Sequence, residues 1–232
     1  MYDDLKSEVC QANLELSKRG LVTYSWGNVS GIDRQNGVVA IKPSGVAYDQ
    51  LTKDNIVLVD MEGKVVDGNL RPSSDTPTHL ELYRAFEGIG GVCHTHSTYA
   101  TMWAQACREI PCLGTTHADH FHGPVPVTDE MQADEIASDY ELNTGRLIVR
   151  RFRELDALHL PVVLVANHGP FTWGSSPADA VQQAVILEQV AEMAYGTLML
   201  NPGQGQISAA LQAKHFLRKH GKDAYYGQEN GE

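Results

Sequence analysis

The 232-residue chain is 42% hydrophobic and 20% charged, with 21 glycines and 10 prolines. That make-up suits one globular domain with a sizeable core and excludes disordered, collagen-like and coiled-coil chains. A net charge of -11 and a pI near 5.3 repel nucleic acid and anionic membranes as a whole, so neither is an expected partner and any bound phosphate must sit in a local pocket.

The first segment places Leu5, Val9, Ala12 and Leu16 on one helical stripe, with Lys18 and Arg19 in the last turn and Gly20 as the stop. β-type runs follow at residues 38–42, 56–60 and 64–66, the last two joined like a hairpin through 61–63. Thr76-Pro77 opens a helix through Phe86, with the threonine as cap and proline at a tolerated position. Residues 91–96 form another strand, 99–107 a helix, and a further helix starts near Thr144. A buried strand spans 162–166, Ser176-Pro177 opens a helix of about six turns to Gly196 or a little beyond, and a last helix covers roughly 208–219. Residues 221–232 follow as a polar tail. No apolar run approaches the ~18 residues of a membrane helix. The sum is one α/β domain, with a mainly antiparallel central sheet flanked by helices on two faces. Cys10, Cys93, Cys107 and Cys112 form no C-x-x-C pair and the opening M-Y-D-D lacks a secretion pattern, so reduced thiols in a cytoplasm are expected.

His94 and His96 are two apart on a predicted strand, so both imidazoles face one side about 7 Å apart at the backbone. His168 follows the 162–166 strand in a turn able to aim its ring at that pair. Three neutral imidazoles leave a fourth coordination position open, as catalytic zinc sites do. Any one histidine is as easily a core residue; H-x-H plus a strand-end histidine is harder to explain that way. Asp119 lies among His117, His120 and His122, where the local sequence alone does not rank it above a loop carboxylate.

Three stretches, 26–31, 42–45 and 72–77, carry glycines and hydroxyls fit to hold an anion, the last running into a helix N-terminus. Asp75 can cap that helix, buffer a metal or act on substrate, and capping is the default. Neither G-x-x-x-x-G-K-[ST] nor G-x-G-x-x-G occurs, which removes the usual signatures of nucleotide hydrolysis and hydride transfer.

Taken together, T-x-x-W-G-N-V-S at 23–30, I-K-P-S-G-V at 41–46, P-S-S-D-T-P-T-H at 72–79, H-T-H-S at 94–97, G-T-T-H-A-D at 114–119, H-G-P-F at 168–171 and L-R-K-H-G-x-x-A-Y-Y-G-Q at 217–228 resemble the epimerase branch of the class II aldolase superfamily. The resemblance spans nearly the whole chain. It implies a three-layer α/β/α fold and a homotetramer whose active sites lie at subunit interfaces. It also implies a divalent metal, usually zinc, with manganese or cobalt as alternatives, on His94, His96 and His168. Asp75 becomes a further ligand or a group bonded to one. Gly27, Asn28, Ser44, Gly45, Ser73 and Ser74 would bind substrate, chiefly its phosphate. Asp119 and Tyr226 would be the acid/base pair, with Thr115, His215 and Arg218 nearby and Tyr226 reaching in from the adjacent subunit. Asn167 and the added residues 229–232 are differences of undefined effect.

The implied reaction converts L-ribulose 5-phosphate to D-xylulose 5-phosphate by breaking the C3–C4 bond and re-adding the aldehyde to its other face. Two rival functions remain: a class II aldolase of the fuculose-1-phosphate type, whose members usually carry Glu where Asp75 stands, and a non-catalytic sugar-phosphate sensor. Asp75, the G-T-T-H-A-D stretch and the A-Y-Y-G-Q ending favour the epimerase. The sequence leaves open whether arabinose, ascorbate or another pentose route supplies the substrate.

Overall fold

The structure, a computed structural model, describes residues 2–222, 224 and 225. Seven strands, β1 Asn28–Asp33, β2 Val38–Ile41, β3 Val57–Asp60, β4 Val65–Asp67, β5 Gly91–His94, β6 Val162–Leu164 and β7 Pro170–Gly174, form one antiparallel sheet in the order β4-β3-β2-β1-β5-β7-β6. Strand side chains alternate between faces, and the sheet is covered on both. On one side α1 (Asp3–Lys18) and α7 (Pro177–Leu200) pack through Ala12, Leu16, Ala180, Val181 and Ala184 onto Val29 and Cys93. On the other lies α2 (Thr76–Ala85), with α6 (Tyr140–Arg151) against it. The expected three-layer α/β/α arrangement with a mainly antiparallel sheet is present, and no helix among the described residues is long and apolar enough to cross a membrane.

The helix ends follow their local chemistry. Ser176 Oγ accepts from the Asp179 amide at the start of α7, and Ser208 Oγ from the Leu211 amide at the start of α8 (Ala209–His220), each satisfying an otherwise orphan donor. Helix α6 begins at Tyr140, four residues before the expected start, and Gly145 lies inside it. A Cβ at Gly145 would stand 2.7 Å from Glu81 Cβ, so this glycine permits α6 to lie close against α2 rather than ending a helix.

Two strands go beyond the sequence reading. β1 occupies the stretch taken as an anion-binding loop, and β7 follows the turn that carries His168. Gly31 explains the first: a Cβ there would meet Pro177 Cγ at 2.7 Å and Val9 Cγ2 at 3.0 Å, so the residue that weakens strand propensity is where α1 and α7 settle on the sheet. Strand β5, in turn, ends at His94, and His96 lies beyond it. Among the described residues there are also three short α-helices, α3 (Thr98–Gln105), α4 (Thr115–Ala118) and α5 (Ala133–Ala137), and 3-10 turns at Tyr48–Gln50 and Lys53–Asn55. All four cysteines are free thiols.

Beneath the α2 face runs a buried polar chain. Ser30 Oγ is 2.7 Å from His79 Nδ1 and 2.8 Å from Tyr83 Oη. Burial lowers the His79 pKa to about 3, with Asp75 opposing that shift. Its folded pKa thus lies below the ordinary 6.5, so its contribution to stability is full above that value and is lost as pH falls towards 3. Chemical denaturation of metal-free protein between pH 4 and 6.5 should show stability rising with pH, and His79→Gln should remove up to about 1.4 kcal/mol per pH unit from that slope. An unchanged slope would mean that His79 is already protonated in the fold.

Candidate active site

β5 and the turn before β7 bring His94, His96 and His168 together, with ligating atoms all within 4.8 Å of one another. His94 is fixed on three sides. Its ring stacks on Phe171 at 4.2 Å, its Nδ1 donates to the Pro170 carbonyl at 2.9 Å, and its Nε2 then points to His96 Nε2, 3.0 Å away. A backbone carbonyl on one ring nitrogen is the usual way a metal-binding imidazole has its tautomer set. The His168 turn is equally specific. Asn167 has φ +60, a left-handed position that asparagine tolerates. A Cβ on Gly169 would lie 2.9 Å from the Thr95 carbonyl oxygen, so this turn rests directly on the His94–His96 segment.

Burial, followed by the neighbouring imidazoles, lowers His96 to about 4 and His168 to about 3. Both are neutral near pH 7, the state in which imidazole binds metal. Three converging imidazole nitrogens fit a divalent cation with an open position.

Asp75 stands at the N-cap of α2 but makes no side-chain capping bond, contrary to the default reading. Its carboxylate accepts from Asn28 Nδ2 at 2.6 Å. Burial works against its charge, yet His94, His79 and the Asn28 amide hold its pKa below the usual range. Asn28 Nδ2 also lies 3.0 Å from Ser73 Oγ, while Asn28 Oδ1 is buried without a partner among the described residues. Such an acceptor inside a polar site is a place for a ligand's donor.

The three glycine and serine stretches converge here. The Ser44 amide donates to the Arg71 carbonyl at 2.9 Å and the Ser73 amide to the Lys42 carbonyl at 3.0 Å, so the 42–45 and 72–75 segments run side by side. Ser44, Gly45 and Ser74 are exposed beside them. Gly27 has a structural reason as well: at φ +77 it sits where a Cβ would lie 2.8 Å from the His94 carbonyl oxygen.

Lys42 opens the 42–45 stretch expected to hold an anion, although the substrate-binding residues implied by the resemblance leave it out. It is 1% exposed, its Nζ reaches the Ser25 and Pro43 carbonyls at 3.4 Å each, and burial lowers its pKa to about 8. The I-K-P-S-G stretch held that signal, since a lysine ahead of a glycine turn places a cation by the backbone amides. Trp26 beside His96 and Tyr140 beside His168 also line the cluster; nothing in sequence singled out Tyr140.

Asp119 is elsewhere. It follows α4, whose first residue is Thr115, and accepts from Arg218 through Nε at 2.9 Å and Nη2 at 2.6 Å, and from His215 Nδ1 at 3.0 Å. Burial opposes its charge, but these bonds from α8 hold its pKa below the usual carboxylate range. The adjacent His120 shares a cleft with Gly88, Gly174 and Ser175. In the β5–β7 pairing Gly174 stands opposite Gly91, whereas Phe171 stands opposite His94. His120, next to Asp119, thus lies by the Gly174 end of β7, the opposite end from Phe171 and His94. The fold gathers Asp119, His215 and Arg218 into one cluster and the histidines, Asp75 and Asn28 into another. Tyr226 lies outside the described residues.

Residues 7–195 match the family described as Class II Aldolase and Adducin N-terminal domain. The chain is 54% identical over 225 residues, 97% of its length and 99% of theirs, to L-ribulose-5-phosphate 4-epimerase UlaF of Salmonella paratyphi A (strain ATCC 9150 / SARB42) and of Salmonella typhi. Among solved structures it is similar to an L-fuculose 1-phosphate aldolase, with TM-score 0.76 and 24% identity over 91% of this chain and 94% of that one. It is also similar to the l-fuculose-1-phosphate aldolase of Thermus thermophilus, with TM-score 0.67 and 23% identity over 88% and 100%.

The geometry calls for one divalent ion per chain. Replacing His94, His96 or His168 by Asn should lower bound metal at least about 10-fold, measured by elemental analysis and by the loss of metal-induced thermal stabilisation. Metal content unchanged in all three variants would exclude the cluster as the site.

Proposed function

The chain belongs to the class II aldolase and adducin N-terminal domain family, and on that footing we propose that it is an L-ribulose-5-phosphate 4-epimerase forming D-xylulose 5-phosphate. The observation that carries this is its 54% identity along almost the full length of both chains to epimerases of that name; the likeness to fuculose-phosphate aldolases speaks for the fold. Asp75 and its bond to Asn28 agree with the epimerase branch.

The metal we assign is zinc, with manganese or cobalt able to replace it, held by His94, His96 and His168 with Asp75 as a further ligand or as the group that orients Asn28 beside them. A bound divalent cation supplies Lewis-acid stabilisation of an enediolate. The chain's own groups do the rest. Lys42, Gly27, Ser44, Gly45, Ser73 and Ser74 surround the substrate phosphate at the start of α2, where amides and helix dipole favour an anion. The Lys42 ammonium, lowered by burial, regains its ordinary pKa as the phosphate approaches. Asn28 Oδ1 accepts a hydrogen bond from a substrate hydroxyl. Asp119, aligned by Arg218 and His215 with Thr115 beside it, and Tyr226 serve as acid and base on the two faces of C4. The C4 hydroxyl proton leaves to one of them, the C3–C4 bond opens, and after the aldehyde turns the other protonates the new C4 oxygen. Reduced cysteines suit a cytoplasmic enzyme.

Because Asp119, His215 and Arg218 form a bonded cluster of their own, without a hydrogen bond to the three histidines, we assign Asp119, His215, Arg218 and the tail with Tyr226 to a neighbour's site in a homotetramer. Asp119 and Tyr226 then come from the same neighbouring chain. An Asp119→Asn chain mixed with a Tyr226→Phe chain accordingly gains nothing. A His96→Asn chain co-assembled with an Asp119→Asn chain at equal ratio should recover roughly a quarter of wild-type activity, since that fraction of interfaces pairs two intact halves. No recovery in verified mixed oligomers would place each site within one chain.

A coupled assay on L-ribulose 5-phosphate tests the activity itself. Deuterium at C4 of the substrate should be fully retained in D-xylulose 5-phosphate, and turnover in heavy water should place none there, because cleavage never breaks the C4–H bond. Loss of the label to solvent would exclude bond cleavage.

A further inference from the structure

Trp26 lies at the mouth of the histidine cluster and outside the core. The residue is 56% exposed, with its ring centroid 6.3 Å from that of His96 and, edge-on, 6.3 Å from that of Tyr24. Tryptophan is highly buried on average, so an indole left open beside three metal-ligating side chains is a feature with a use.

The backbone holds it there under strain. Tyr24, 82% exposed, has φ +54, an outlier for a bulky residue, and such outliers cost about 1–3 kcal/mol and cluster at ligand clamps. The Trp26 amide closes the turn on the Thr23 carbonyl at 3.0 Å. The buried Tyr48 hydroxyl lies 3.0 Å from both the Trp26 and the Gly27 carbonyl oxygens. Gly27 in turn rests against the His94 backbone. Lys42 Nζ reaches the carbonyl of Ser25, the preceding residue. The loop that carries the indole is thereby tied both to the metal end of β5 and to the anion-binding segments.

The consequence rests on the bond-cleavage reading above. When the C3–C4 bond opens, its electron pair stays on C3 as the enediolate of dihydroxyacetone, and the C4 hydroxyl proton passes to a base. Glycolaldehyde phosphate is then anchored through its phosphate and has no covalent bond to the enediolate. Its carbonyl must turn before the pair returns to C4 from the opposite side and the new C4 oxygen takes a proton. A polar wall at the carbonyl would arrest the turn through hydrogen bonds, and an open side would let the fragment leave. A flat apolar wall permits rotation and blocks escape.

We propose that Trp26 is that wall: it retains the aldehyde fragment between cleavage and re-addition and so sets the partition between epimerisation and release of free fragments. It is a specificity-determining residue rather than an acid, a base or a ligand.

The test follows both products of L-ribulose 5-phosphate in one sample of metal-loaded enzyme, D-xylulose 5-phosphate and free dihydroxyacetone. Trp26→Ala should raise the ratio of dihydroxyacetone to D-xylulose 5-phosphate at least about tenfold, and Trp26→Phe, which keeps a flat apolar face, should return it most of the way to wild type. Metal content of both variants should match wild type. A ratio within twofold of wild type in Trp26→Ala overturns the proposal, as does a rise that Trp26→Phe fails to reverse. If Trp26→Ala does not load metal, Trp26→Leu carries the same comparison. Failure of the wild-type enzyme to form D-xylulose 5-phosphate at all would instead refute the epimerase reading, so the two failures are distinct.

Discussion

The antiparallel register across β1, β5 and β7 is the constraint on which the site depends. It sets Asn28 opposite His94 and His94 opposite Phe171, so an amide, an imidazole and a stacking ring share one end and one face of the sheet. Two residues along β1 on that same face, Ser30 meets His79 and Tyr83 of α2, which fixes how α2 lies and delivers Asp75 at its start to Asn28. The Pro170 carbonyl at the head of β7 accepts a hydrogen bond from His94 Nδ1, and the turn ahead of it supplies His168. A slip of one residue between β1 and β5 would bring an apolar neighbour, Val29 or Cys93, to the metal face and leave Asn28 on the helix-packed side. Core packing of Val29 and Cys93 against α1 and α7 opposes that slip, so the same contacts that build the hydrophobic layer hold the donor atoms in place.

Much of this was legible where a residue type has one strong local use. The Leu5, Val9, Ala12 and Leu16 stripe and the Ser176-Pro177 start announce their helices because periodicity and capping act within a few residues. The three histidines were legible as a cluster even though β5 ends at His94, because a residue just past a strand end can still turn its ring towards the strand's last side chain. β1 and β7 were hidden because their evidence is tertiary: Gly31 weakens the local strand signal and makes sense only once α1 and α7 lie across it. Asp75 was misread for a related reason. Its position before Pro77 resembles a cap, and only the approach of Asn28, 47 positions earlier in the chain, turns its carboxylate elsewhere. The Asp119 cluster shows the same limit, since nothing local told that its partners sit on α8, nearly a hundred residues on.

A chain of net charge -11 that handles a sugar phosphate must reverse its field locally. Lys42 does this in an uncommon way. A fully buried ammonium bonded to two carbonyls, with the Tyr48 ring 4.9 Å away, is solvated by dipoles rather than by a carboxylate, and so its charge is not cancelled before an anion arrives. A carboxylate partner would raise its pKa and also repel the phosphate. The depressed value near 8 is the cost of leaving that charge available, and proximity to the α2 start adds the helix dipole to it.

Asp119 poses the complementary problem, because a carboxylate close to three imidazoles and a cation tends to become a ligand. Each added protein ligand takes up coordination room that substrate oxygens need, and open positions are what distinguish catalytic from structural sites of this type. Bonding Asp119 to Arg218 and His215 of α8, rather than to the histidines of its own chain, works against that closure during folding and metal loading. Delivered instead by an assembled neighbour, as proposed above, it arrives already gripped by Arg218 through two nitrogens and by His215, a geometry that fixes which oxygen faces the substrate. The grip also keeps the carboxylate ionised through the physiological range. A base that is ionised, oriented and unable to reach the metal is the form that removing a hydroxyl proton requires. On this view oligomerisation is part of the chemistry: it separates the group that must stay off the metal from the groups that must bind it, and joins them only after each has been built.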